Sequence, residues 1–95
     1  MSVSYAETAV AEIEEILDFL KERSPSAAAS LRGSLQEIEQ RLASHPLTGS
    51  PVSARGQSMR RLVVQPYLLF YRVSGPDVLV VGLRHAARHA SSMPS

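Results

Sequence analysis

Residues 60–84 read RRLVVQPYLLFYRVSGPDVLVVGLR, and how this stretch is read decides the fold. It holds three runs, RRLVV, YLLFYRV and DVLVVGLR, rich in β-branched and aromatic side chains, the types that fit a pleated, half-buried surface. Gln65-Pro66 parts the first pair of runs and Ser74-Gly75-Pro76 the second. Both interruptions are turn chemistry, since proline presets one backbone angle and glycine admits the left-handed region. Short turns between successive strands predict an antiparallel meander. YLLFYRV barely alternates, as a central strand with neighbours on both sides would. Met1 to Tyr5 supplies a candidate short edge strand.

Upstream, the period changes. Ala6, Ala9, Val10, Ile13, Ile16, Leu17 and Leu20 recur at three and four residues, with Glu12, Glu14, Glu15, Asp18 and Glu22 mostly off that stripe. This is the pattern of an amphipathic helix. Pro25 ends it near Arg23, because proline lacks a backbone donor and clashes with the preceding turn. Ser24-Pro25 also starts a second helix, a hydroxyl N-cap followed by proline at the first helical position. The second stripe runs Ala28, Leu31, Leu35, Ile38 and Leu42. Gly33 within it costs roughly 1 kcal/mol of helix propensity and suggests close helix packing. HPLTGSP (45–51) carries the breakers that stop this helix, and SARGQS (53–58) reads as a flexible loop holding a solvated Arg55. The expected fold class is α+β, an N-terminal antiparallel helical hairpin packed on a small, mainly antiparallel β-sheet.

Ninety-five residues suit one domain, 1–95, and residues 86–95 carry no core pattern and are expected to form a flexible tail. Without cysteine there is neither a disulfide framework nor a thiolate nucleophile, which fits a reducing cytoplasm. The acidic start is no signal peptide, and no apolar run approaches the roughly 20 residues that span a bilayer. A soluble, cytoplasmic protein without a membrane partner is expected. The three histidines, at 45, 85 and 89, lack metal-ligand spacing, and the glycines form no phosphate-cradling loop, so no metal or cofactor is expected. His45 in HPLTG reads as a turn residue.

Charge is unevenly placed. Residues 1–50 carry four cations against eight acids, net −4, while residues 51–95 carry six arginines against Asp77, net +5. Such asymmetry steers anionic partners more than the total charge of +1 would. It culminates in VLVVGLRHAARHA (78–90), where an apolar strand empties into Arg84, His85, Arg88 and His89.

The ordered set AEIEEILDFL (11–20), the Ser-Pro…Ala…Leu…Ile…Leu pattern of 24–42, HPLTG (45–49), RRLVV (60–64), YLLFYRV (67–73) and LRHAAR (83–88) resembles the RelE/ParE superfamily, the toxins of bacterial type II toxin–antitoxin pairs. The resemblance covers nearly the whole chain and implies a toxin silenced in a hetero-oligomer by a cognate antitoxin. Ile13, Leu17, Phe19 and Leu20 are then the candidate antitoxin-binding residues, and Arg60, Arg84 and Arg88 the candidate target-binding residues. RelE-like members cut messenger RNA on the ribosome; ParE-like members are similar in scaffold without those catalytic groups and are associated with poisoning DNA gyrase.

RNA cleavage needs a base for the 2′-OH, cations at the phosphate and an acid for the leaving oxygen. The candidate catalytic set is Arg61, His85 and Arg88. Adjacent Arg60 and Arg61 point to opposite faces of a strand. The family pattern puts Arg61 on the His85 face and Arg60 outward. Each of these residues also has a quieter reading. His85 can be a strand-end residue satisfied by backbone, Arg88 the partner of Glu12 or Glu15, and Tyr67 and Tyr71, which share one face, part of the core rim. Two departures weigh against a nuclease. Leu68 stands where such enzymes carry a basic residue after the first tyrosine, and HASSMPS (89–95) has no tyrosine. The favoured reading is a ParE-like gyrase inhibitor that is not an enzyme. The alternatives are a ribosome-dependent, metal-independent endoribonuclease acting on messenger RNA, and a non-toxic antitoxin-binding partner in operator autoregulation.

Overall fold

The computed structural model describes residues 2–54 and 57–88. In chain order the elements are β1 (Ser2–Tyr5), α1 (Glu7–Arg23), α2 (Pro25–Ser44), β2 (Ser50–Ala54), β3 (Gln57–Val64), β4 (Tyr67–Ser74) and β5 (Asp77–His85), with one 3-10 turn over Ala86–Arg88. The strands form one sheet in the order β1-β5-β4-β3-β2. β2 to β5 make the antiparallel meander, and β1 joins β5 in parallel. The fold is the expected α+β arrangement, a helical hairpin on a mainly antiparallel sheet. No helix among the described residues is long and apolar enough to cross a membrane.

The helical link falls where Ser24-Pro25 places it. The Ser24 N–H bonds Leu20 O at 2.6 Å, closing α1. Its hydroxyl accepts from the Ala27 N–H at 3.3 Å, opening α2. One residue therefore satisfies both helix ends, which is why the turn is so short. His45 closes α2 through its N–H to Arg41 O at 2.6 Å and accepts from Thr48 at 3.2 Å, the turn role expected of it.

Gly33 departs from expectation. A Cβ built there would meet nothing within 4 Å, so the glycine serves no close helix approach. The second departure is β2, which covers residues expected to be breakers and loop. Pro51 is tolerated because β2 is the sheet edge, where a missing backbone donor breaks no ladder bond.

β4 sits mid-sheet and is buried on both faces, which explains its weak alternation. Leu69 and Tyr71 join the main core with Ala9, Leu31, Ile38 and Leu42 of the helices, while Leu68 and Phe70 pack with Met59 in a smaller cluster. Tyr71 is fully buried rather than at the rim. Its hydroxyl donates to Pro46 O and accepts from the Gly49 N–H, each at 2.8 Å. The 45–49 loop is thus fastened to the sheet centre, and Gly49 leaves no room for a side chain: a Cβ would lie 2.8 Å from both the Tyr71 hydroxyl and Arg61 O. At the other edge, the Tyr5 hydroxyl donates to Glu39 at 2.7 Å, tying β1 to α2. Burial and that neighbouring carboxylate push the Tyr5 phenol well above its usual range.

Two stability measurements check this account. Gly33→Ala is expected to raise the unfolding free energy by about 0.5–1 kcal/mol, read as a higher denaturation midpoint in urea. Tyr71→Phe strands a buried donor and acceptor and is expected to cost about 1–3 kcal/mol in the same titration.

Candidate functional site

β1 pairs with β5 only as far as Val80. The outer edge of β5 beyond that point has no strand beside it, and unpaired edge groups need partners. The Ala6 backbone, just ahead of α1, and two α1 side chains supply them. The Ala6 N–H bonds Val80 O at 2.9 Å, and the Thr8 hydroxyl lies 3.4 Å from Val81 O. Glu12 accepts from the Leu83 N–H through Oε1 at 3.1 Å, and its Oε2 pairs with Arg84. Thr8, Glu12, Glu15 and Phe19 recur at four, three and four residues, which puts them on one side of the helix, next to the apolar stripe.

Between the later turns of α1 and the end of β5 lies a groove of about 540 Å³. Its apolar lining is Ile16, Phe19, Tyr67 and Leu83, and its polar lining is Glu12, Glu15, Arg84 and His85. Phe19 is 53% exposed, with the Arg23 guanidinium stacked 4.5 Å above its ring. The other candidate antitoxin residues, Ile13, Leu17 and Leu20, pack against the main core and are only partly exposed.

Of the candidate catalytic residues, Arg61 and His85 lie on opposite faces of the sheet. A register shift between Phe70 and Tyr71 leaves Val81 as an extra residue in β5. The bulge moves everything after it to the other face. Tyr71 therefore pairs with Val80, but Tyr67 pairs with His85. Through Tyr71 and the β3 register, His85 shares a face with Arg60, and Arg61 lies on the opposite face with Phe70. This reverses the expected assignment. Arg60 is also not outward: its Nη1 donates to Leu47 O at 3.2 Å and Gly49 O at 2.7 Å, holding the α2–β2 loop.

His85 stands exposed at the strand end. Its ring meets Tyr67 edge-on, with centroids 5.7 Å apart and planes at 85°. Its Nδ1 accepts from the Ala87 N–H at 3.2 Å, which leaves the ring hydrogen on Nε2. Arg84 is an ion-pair partner of Glu12. Arg88 belongs to the 3-10 turn, and its side chain, Arg55 and residues 89–95 lie outside the described residues. The arrangement joins one imidazole and one neutralised guanidinium to an apolar groove.

A residue the sequence reading missed in its true role is Glu12, whose signal was its place in the Thr8–Phe19 side stripe. Against this geometry, the family profile described as ParE toxin of type II toxin-antitoxin system, parDE, matches residues 3–90. Toxin RelE2 of Caulobacter vibrioides is 36% identical over 81 residues, spanning 84% of this chain and 89% of that protein. The solved chromosomal ParDE system of P. aeruginosa superposes with a TM-score of 0.69 at 21% identity, over 90% of this chain and 95% of that one. A YoeB/ParE toxin from Agrobacterium tumefaciens gives 0.56 at 17% identity, over 90% and 98%.

Glu12→Ala is expected to destabilise the chain by about 1–2 kcal/mol in urea unfolding, because it strands the Leu83 N–H and unpairs Arg84. Glu12→Gln keeps the bond to Leu83 and loses only the partly exposed ion pair, so its expected cost is about 0–1 kcal/mol.

Proposed function

The chain belongs to the ParE toxin family of type II toxin–antitoxin systems, and from that premise we propose that it arrests growth by binding DNA gyrase rather than by cutting RNA. Membership brings an antitoxin partner, which silences the toxin in a cytoplasmic hetero-oligomer. The observation that carries the non-catalytic reading is the separation of Arg61 from His85 by the β5 bulge. A cleaving site must hold its base and its phosphate-binding cation on one surface. Arg84 is the remaining described cation beside His85, and it is neutralised by Glu12. With Leu68 buried in the smaller cluster, no cation replaces it from the centre of β4.

The target contact is assigned to the basic end of β5 and rests on Arg88, because Arg84 is already paired with Glu12. Arg60 drops out, since its Nη1 is engaged by the α2–β2 loop. Phe19 and the exposed rims of Ile13, Leu17 and Leu20 are assigned to the antitoxin. A second reading, a ribosome-dependent endoribonuclease, draws on the 36% identity to a protein named Toxin RelE2 and on the exposed His85.

The test pairs two reactions on purified protein. The chain is expected to inhibit gyrase supercoiling of relaxed plasmid and to leave messenger RNA intact in a reconstituted translation reaction. His85→Ala is expected to keep the supercoiling inhibition within about threefold of wild type, a change under 1 kcal/mol. Cut message with normal supercoiling would overturn the proposal in favour of the nuclease.

A further inference from the structure

The β2–β3 hairpin, at the far edge of the sheet from β5, carries a pocket of about 460 Å³. Its shape follows from the register. Pro51 pairs with Arg60, Val52 with Met59 and Ser53 with Ser58. Arg60 pairs in turn with Tyr71, so Arg72 and Val73 follow alongside Met59 and Ser58. Side chains alternate across a strand. Val52 and Met59 join the small cluster around Phe70, whereas Val73 packs against the main core. The pocket therefore opens on the helical face, where Ser53 and Ser58 stay exposed. Pro51 and Arg60 make one wall, and Ser53, Ser58 and Val73 the other. The backbone of Val52, Met59 and Arg72 lies between as the floor, their side chains being turned to the opposite face. Residues two apart on a strand are separated by about 6.7 Å, which sets the gap between the walls.

The cation in this pocket is fixed and still has donors to offer. Arg60 is half-buried, and the carbonyls of Leu47 and Gly49 take only its Nη1. They hold the guanidinium in place, while Nε and Nη2 make no bond among the described residues. No acid among the described residues lines the pocket. A held guanidinium across from two hydroxyl donors is preorganised for an oxyanion.

We propose that this pocket binds the terminal phosphate of a small phosphorylated metabolite, with Arg60 donating from one wall and the Ser53 and Ser58 hydroxyls from the other. The proposal is independent of both the gyrase target and the antitoxin. A carboxylate is flat and turns both oxygens one way, which suits a single fork, whereas a tetrahedral phosphate presents oxygens to two walls at once. A nucleic-acid backbone needs several cations along its track. Here Arg60 stands as the one described cation whose side chain turns into the pocket, since Arg72 contributes floor. Pro51 and Val73 give the rest of the ligand an apolar surface on which to lie.

The test follows backbone amide shifts of the full chain by NMR at constant ionic strength. The probes are ribose 5-phosphate, inorganic phosphate, acetate and a short random-sequence DNA duplex. Ribose 5-phosphate is expected to give saturating shifts at Val52, Ser53, Ser58 and Met59, with a dissociation constant on the order of 1 mM. Inorganic phosphate is expected to move the same amides, and acetate to bind at least about tenfold more weakly. Ser58→Asp sets a carboxylate on the wall at an exposed position and is expected to weaken ribose 5-phosphate by at least about tenfold, the worth of one charge-assisted contact. The wild-type shift map decides the matter even if that variant folds poorly. Shifts that do not saturate, or that centre on the end of β5, overturn the proposal. So does acetate binding as tightly as phosphate, or the DNA duplex engaging these amides more tightly than ribose 5-phosphate.

Discussion

A strand of four residues cannot cover a strand of nine. β1 stops opposite Val80, and the next part of the β5 edge is satisfied from outside the sheet. α1 provides two of these contacts, and this sets how the helical hairpin lies. Its apolar stripe packs down on the sheet, while the neighbouring stripe of Thr8 and Glu12 turns sideways to reach β5 backbone. One helix thus builds the core and closes part of an edge, and the groove begins where that closure stops. Phe19, Arg84 and His85 line it for the same reason.

Burial elsewhere follows from the same one-sided packing. The helices cover the face carrying Leu69, Tyr71, Val78, Val80 and Leu83, and the opposite face keeps a separate small cluster around Phe70. The Tyr71 hydroxyl, deep in the covered face, holds the loop that returns the chain from α2 to the far sheet edge. Arg60 reinforces that loop from β3. A side chain that looks like a cation for a nucleic acid is spent on backbone carbonyls, which shows how weakly arginine content alone bears on function.

Much of this was legible in the residues. Ser24-Pro25 marks both helix ends because caps are local chemistry, and the change from a period of three and four to unbroken β-branched runs marks the sheet. What could not be read were the features that depend on distant neighbours. Pro51 looks like a breaker until β2 is known to be an edge strand. The side-chain period of a strand is two, so one bulge residue inverts every assignment after it. In VLVVGLRH only Gly82, a lone glycine inside a strand, hints at a bulge, and it does not say which residue is the extra one; the bulge decides whether Arg60 or Arg61 faces His85. Leu68 and the tyrosine-free tail had already pointed away from catalysis. The bulge bears on the same proposal through different residues, Arg61 and His85.

The central claim is that this toxin acts by occupying surfaces and cuts nothing. The most direct test is to map transcript 5′ ends across the genome in cells shortly after the chain is induced without its antitoxin. The account predicts growth arrest with no new ends inside translated frames, and the same profile for His85→Ala. New ends within codons of translated messages, lost in His85→Ala, would contradict it.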